Sequence, residues 1–134
     1  MPIFTSYFGN IRNLDINKCT AICLYKPKWY TGDWYTKVAP TDTILRAFKK
    51  WPDKKAYIRR YTADVLDNLD PKEIGERLEG RILLCYEKPD EFCHRHILAE
   101  WLNEHGYDCC EINNEPLPKE PENIQGNLFG EEIL

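Results

Sequence analysis

The chain has 134 residues, 43% of them hydrophobic and 30% charged, with a formal net charge of −4. That apolar share supports one buried core in a single domain and excludes wholesale disorder. No run of about 18 apolar residues occurs, which excludes a membrane-spanning helix, and the opening MPIFTSYFGN lacks the order of a secretory signal, so a cytoplasmic protein is expected.

In chain order, residues 3–8 (IFTSYF) and 20–25 (TAICLY) are rich in β-branched and aromatic residues and predict strands. Gly9-Asn10 and the stretch from Asn13 to Asn17 supply turn chemistry between them. The segment from Lys26 to Pro40 has no clean period and predicts an ordered surface loop.

Three helices are expected next. Thr41 caps the first, in which Ile44, Leu45 and Phe48 share a face, and Pro52 ends it. The second runs from about Asp53 to Asn68, with Ile58, Tyr61, Val65 and Leu66 at helical spacing. In the third, Asp70 is the N-cap, Pro71 takes the first position and Gly80 closes the helix.

Residues 81–86 (RILLCY) then form an apolar run of the kind found in a buried parallel strand. A fourth helix is predicted from near Asp90 to Gly106, with His94, Ile97, Leu98, Trp101, Leu102 and His105 on one face. Residues 107–112 (YDCCEI) predict a last strand, paired in parallel with 81–86 through a crossover helix. The fold class is therefore α/β: a small Rossmann-like domain whose mostly parallel sheet has about four or five strands flanked by helices. Residues 1–114 are expected to form that domain. Residues 115–134 read as a flexible tail rich in proline and glutamate.

Six cysteines in a chain without an export signal predict reduced thiols rather than a disulfide scaffold. Charge is unevenly spread: residues 1–60 carry 12 Lys and Arg against 4 Asp and Glu, and residues 61–114 carry 5 against 13. Such a dipolar surface draws an anionic ligand to one side, although solvated faces account for the same pattern.

The densest chemistry lies in Leu84-Cys85-Tyr86-Glu87-Lys88-Pro89-Asp90-Glu91-Phe92-Cys93-His94-Arg95-His96, a strand-to-helix turn. Ligands of open α/β sheets bind beyond the carboxyl ends of the strands, and helix N-termini favour anions. A thiol placed there is stabilised as thiolate. Cys93, His94 and Glu87 are thus the candidate catalytic groups, with His94 or His96 carrying the proton. Cys85, Arg95 and His96 are candidate ligand contacts, with Arg95 as the fork for a phosphate or carboxylate. In the competing reading His94 is a core histidine and Cys85 a small hydrophobe. Consecutive helical side chains diverge by about 100°, so Cys93 and His94 are not expected to share an ion. Cys85, Cys93, His94 and His96 are acceptable ligand types, so a bound metal ion stays open as a third and minority reading, and no cofactor is assigned.

The segments SYFGNI, PKWYTGDWYTKVAPT and LLCYEKPDEFCHRHILAEWL resemble the family named Domain of Unknown Function 488, in its short form, across residues 3–112. The resemblance implies a compact Rossmann-like domain of prokaryotes and their viruses, and it names no reaction. Its motif falls here on Cys85, Glu87, Cys93, His94 and Arg95.

Two further features concern partners. Lys26, Lys28, Trp29 and Trp34 interleave positive charge with indoles, a mixture that stacks on a base and neutralises its phosphate; otherwise the indoles form a lid over the core's edge. In the tail, Gln125, Leu128 and Phe129 resemble the Gln-x-x-Leu-Phe peptide with which bacterial replication and repair proteins dock on the β sliding clamp. The expected function is binding of a nucleotide or nucleic-acid-derived anion at the Cys/His/Arg turn, with processing of that ligand if the protein is an enzyme. The alternative is a non-catalytic nucleotide sensor or an adaptor of DNA machinery.

Overall fold

The computed structural model describes residues 1–112. The tail and its Gln125, Leu128 and Phe129 motif lie outside the described residues. Five strands form one sheet: β1 (Ile3–Tyr7), β2 (Cys19–Ala21), β3 (Asp33–Trp34), β4 (Ile82–Cys85) and β5 (Cys109–Glu111). Their spatial order is β3-β2-β4-β1-β5, and every pair is parallel. The α/β class stands.

Strand β4 is the centre of the sheet, pairing with β1 on one side and β2 on the other. All four of its residues are buried, which explains the unbroken apolar run in the sequence. The expected pairing of the fourth and fifth strands is corrected. Strand β5 pairs with β1, because β1 already fills the slot beside β4.

The four helices are α1 (Asp42–Lys50), α2 (Lys54–Asp64), α3 (Pro71–Leu78) and α4 (His94–Glu104). Side-chain caps start the first three where the sequence placed them: Thr41 accepts from the Ile44 amide, Asp53 from Ala56 and Asp70 from Lys72. Gly80, at φ 75°, ends the turn after α3 in a conformation that costs other residues steric energy. Helix α2 stops earlier than predicted, at Asp64, and a short 3₁₀ turn over Leu66–Asn68 follows. Its buried face is Ala56, Tyr57 and Tyr61, whereas Ile58 is exposed. Aromatic burial outcompeted the aliphatic spacing there.

Two apolar layers sandwich the sheet. Leu83 and Ile3 face a core shared with Ile44, Tyr61, Ile74, Leu98 and Leu102 of the helices. Ile82 and Leu84, one residue out of phase, face the other layer with Phe8, Ala21 and Tyr30. That second layer is covered by the segment from Phe8 to Asn13 and by the 26–40 region, which is more than a surface loop: it contributes β3 and the buried Tyr30 to this layer and the buried Val38 to the helix-side core. No helix among the described residues is long and apolar enough to cross a membrane.

Candidate functional site at the end of the central strand

Period-two alternation puts Cys85 on the same face as Leu83, toward the helices, at the last position of β4. The chain then turns through exposed residues 86–91, where the Lys88 amide donates to Glu91 Oε1 at 3.0 Å. Helix α4 begins at His94, not near Asp90 as predicted, because Cys93 is its N-cap. Cys93 has extended backbone (φ −157°, ψ 147°), and its sulfur accepts from the Arg95 amide at 3.5 Å. It does with sulfur what Ser or Asp oxygen does at an ordinary N-cap.

This backbone corrects the expectation that Cys93 and His94 diverge, since Cys93 is not helical. The sulfurs of Cys85 and Cys93 meet, with the two Cα atoms 7.7 Å apart. The two are joined as a disulfide in this structure, which corrects the prediction of reduced thiols for this pair, while Cys19, Cys23, Cys109 and Cys110 are free. The two sulfurs and a ring nitrogen of His94 all lie within 4.8 Å of one another. Those donors are of the soft kind that zinc or copper takes.

His94 is buried, and its Nε2 stands 2.8 Å from the carbonyl oxygen of Ile22. A carbonyl only accepts, so Nε2 carries the hydrogen and Nδ1 keeps a lone pair, 3.8 Å from the Cys93 sulfur. Burial pushes the His94 pKa down to about 4, with the Arg95 charge adding to it and the Ile22 bond opposing. The ring is neutral at neutral pH, with its lone pair toward the Cys93 sulfur.

Arg95 is wholly buried. Its Nε and Nη2 donate to the two carboxylate oxygens of Glu111 at 3.1 and 2.8 Å, a bidentate pair. Its Nη1 donates to the Cys85 sulfur at 2.8 Å and to the Glu87 carbonyl at 2.7 Å. The carboxylate of Glu111 is held in turn by the Thr5 hydroxyl at 2.6 Å. The expected ligand fork is therefore corrected: Glu111 occupies it, and the guanidinium supports Cys85 from behind. That cation also opposes the arrival of a metal ion beside the same sulfur.

A cavity of about 260 Å³ opens in front of the thiols. Its walls are Phe48, Tyr57 and Phe92, with Tyr25 and Tyr86 at the exposed rim and Cys23 beside the thiols. Cys85, Glu87, Cys93 and His94, all named from sequence, line it. Glu87 is exposed and its Oε1 stands 3.6 Å from the Cys85 sulfur.

The other expected ligand contacts are not brought there. His96 lies on the side of α4 that also carries Glu100 and Asn103, toward Glu111, and its buried Nε2 has no partner among the described residues. Lys26 donates to the Tyr30 carbonyl at 2.9 Å and stands over the Trp34 ring. Trp34 donates to the Cys23 carbonyl, while Trp29, 58% exposed, packs edge-on against Phe8. With Lys28, these residues lie off the cavity wall.

Sequence reasoning missed Glu111 and the aromatic walls. Arg95 shares 3/4 spacing with the buried Leu98 and Leu102, and a buried arginine demands a carboxylate. Glu111 lies one residue past the Cys109-Cys110 pair, in the strand already predicted.

Fold and site together define a small all-parallel α/β domain with a cysteine pair, a histidine and a buried arginine at the carboxyl end of its central strand. The family model described as "DUF488-N3a: Active DUF488-N3 subclade" matches residues 19–106. The chain belongs to the Domain of Unknown Function 488 family. The match is shorter than the resemblance over 3–112 and includes β2 through α4. Neither a curated protein nor a solved structure matches the chain.

Proposed function

We propose that the cavity binds a nucleobase-bearing anionic ligand and that Cys85, once its disulfide to Cys93 is reduced, is held as a thiolate and acts on that ligand as a nucleophile. The observation that carries this reading is the Arg95 guanidinium, 2.8 Å from the Cys85 sulfur. Positive charge against a thiol favours the thiolate, and a thiolate at a pocket floor is an activated nucleophile. Cys85 thus takes the catalytic role that the sequence gave to Cys93, whose sulfur is engaged with the helix amide. Glu87 stands at the cavity mouth with a carboxylate oxygen 3.6 Å from the Cys85 sulfur. His94 stays neutral and orients the cysteine pair.

The cavity's size and walls support the ligand class. At about 260 Å³ it lies just under the roughly 300–1,000 Å³ of drug-sized sites, enough for one flat ring and its substituent. Tyr57, Phe92 and Phe48 supply rings for stacking, and Lys54 stands with its ammonium 5.8 Å over the Phe92 ring, placed for a phosphate outside. The word "active" in the family description accords with catalysis.

The test is calorimetric titration of reduced protein with nucleosides, nucleoside monophosphates and short single strands, followed by product analysis of whatever binds. Cys85→Ser is expected to keep binding and lose turnover, and Phe92→Ala to lose binding. Absence of binding by every compound in the set contradicts the reading; binding without turnover by the unaltered protein favours the sensor. The tail motif is tested separately: removing residues 125–134 is expected to abolish pull-down of a β sliding clamp.

A further inference from the structure

Cys85 and Cys93 are one pair among six cysteines, and their surroundings differ from those of the other four. Burial pushes the thiols of Cys19 and Cys23 up to about 11 and that of Cys109 to about 12, and it raises that of the fourth, Cys110, as well; the first three are buried. Those three remain protonated and sluggish toward oxidants. Cys85 instead touches a guanidinium, and Cys93 touches both a helix amide and the lone pair of His94 Nδ1. Their sulfurs meet at one wall of the cavity, with the exposed 86–91 turn as the only chain between them and the helix cap.

We propose that the disulfide joining Cys85 to Cys93 is one state of a redox cycle: a small thiol opens it, and a peroxide closes the reduced pair again. This rests on the thiolate reading of Cys85 but not on the identity of the ligand. The Cys85 thiolate attacks the peroxide O–O bond, becoming a sulfenic acid and releasing hydroxide. The Cys93 sulfur then attacks the Cys85 sulfur, forming the S–S bond and breaking S–O. The Cys93 proton passes through His94 Nδ1 to the departing hydroxyl, which leaves as water. Two molecules of a small thiol later give their hydrogens to the pair and leave as their own disulfide.

Closure removes the nucleophile and protects it, because a sulfenic acid captured as a disulfide does not proceed to the irreversible sulfinic state. Cys93 fits this role by position: it is the N-cap of α4, so its sulfur is fixed at the helix end. Cys23 lines the same cavity and is the internal control for specificity.

The experiment reduces the full chain, removes the reductant, treats it with stoichiometric hydrogen peroxide, unfolds it in an alkylating agent, and maps the labelled cysteines by mass spectrometry. Cys85 and Cys93 are expected to lose labelling together and to regain it after dithiothreitol. Cys93→Ser, which keeps an N-cap oxygen, is expected to fold and to accumulate sulfinic acid at Cys85 that dithiothreitol does not reverse. Retention of label at both residues, or capture of Cys85 by Cys23, overturns the proposal. A disulfide forming normally in a protein that binds no nucleotide overturns only the ligand reading; nucleotide turnover without any disulfide overturns only this one.

Discussion

Two arginine–carboxylate clusters occupy opposite ends of the sheet and do different work. Near the amino ends of the strands, Asp33 receives Arg77 at 2.8 Å and Arg81 at 3.6 Å, and Thr20 donates to it. These groups are a quarter to a third exposed. Burial raises the Asp33 pKa, but the hydrogen bonds from Thr20 and Arg77 outweigh it and leave the carboxyl below its ordinary value. At the carboxyl ends, Arg95 is sealed between Glu111 and Cys85 with no exposure at all. The first cluster ties a short edge strand to its neighbours. The second spends one donor of a buried cation on a thiol, an arrangement that structure alone does not require.

The comparison predicts unequal costs. Arg95→Ala strands the Glu111 carboxylate in a largely buried site, and loss of one partner of a buried pair costs about 3–5 kcal/mol. Urea unfolding is expected to read a loss in that range, and a loss below that of Arg77→Ala breaks the distinction.

Acid is expected to act next most strongly, through His94. Its pKa is near 4 in the folded chain against an ordinary 6.5, so the unfolded state binds more protons between those values. Stability therefore falls as pH drops from about 6.5 to 4, by on the order of 3 kcal/mol, and is flat for this group above that window. Thermal unfolding across pH checks it, and His94→Gln is expected to flatten the slope.

The smallest effect belongs to Arg77→Ala. Asp33 keeps Thr20 and Arg81, and a pair of this exposure contributes less than about 1 kcal/mol. Salt is expected to shrink that difference further.

Much of the fold was legible in local chemistry. The caps at Thr41, Asp53 and Asp70 and the glycine at 80 are read from single residues, because capping needs a side-chain oxygen or a missing Cβ at one position. The start of α4 was not, because Cys93 is an uncommon cap and the acidic Asp90-Glu91 pair mimics an ordinary one. Strand order was illegible: which strand fills the slot beside β4 depends on contacts 78 or more residues apart, such as Phe4 with Ile82.

The site was half visible. Cys85, Glu87, Cys93 and His94 lie in one short segment, so proximity in sequence brought them together. The cavity walls come from α1, α2 and the end of β2, and no local pattern marks Phe48 or Tyr57 as anything but core. Arg95 was placed correctly and given the wrong partner. Its guanidinium was matched to a ligand's charge when the chain supplies its own in Glu111, 16 residues on.

The claim on which the rest stands is the ionised state of Cys85, and its alkylation rate as a function of pH measures it. Iodoacetamide is applied to reduced protein and the Cys85 peptide is followed by mass spectrometry, with Arg95→Lys beside it. A rate that rises with a midpoint below about 7.5, displaced upward in Arg95→Lys, is the expected result. A midpoint at or above the free-cysteine value of about 8.5, unchanged by the substitution, contradicts the account.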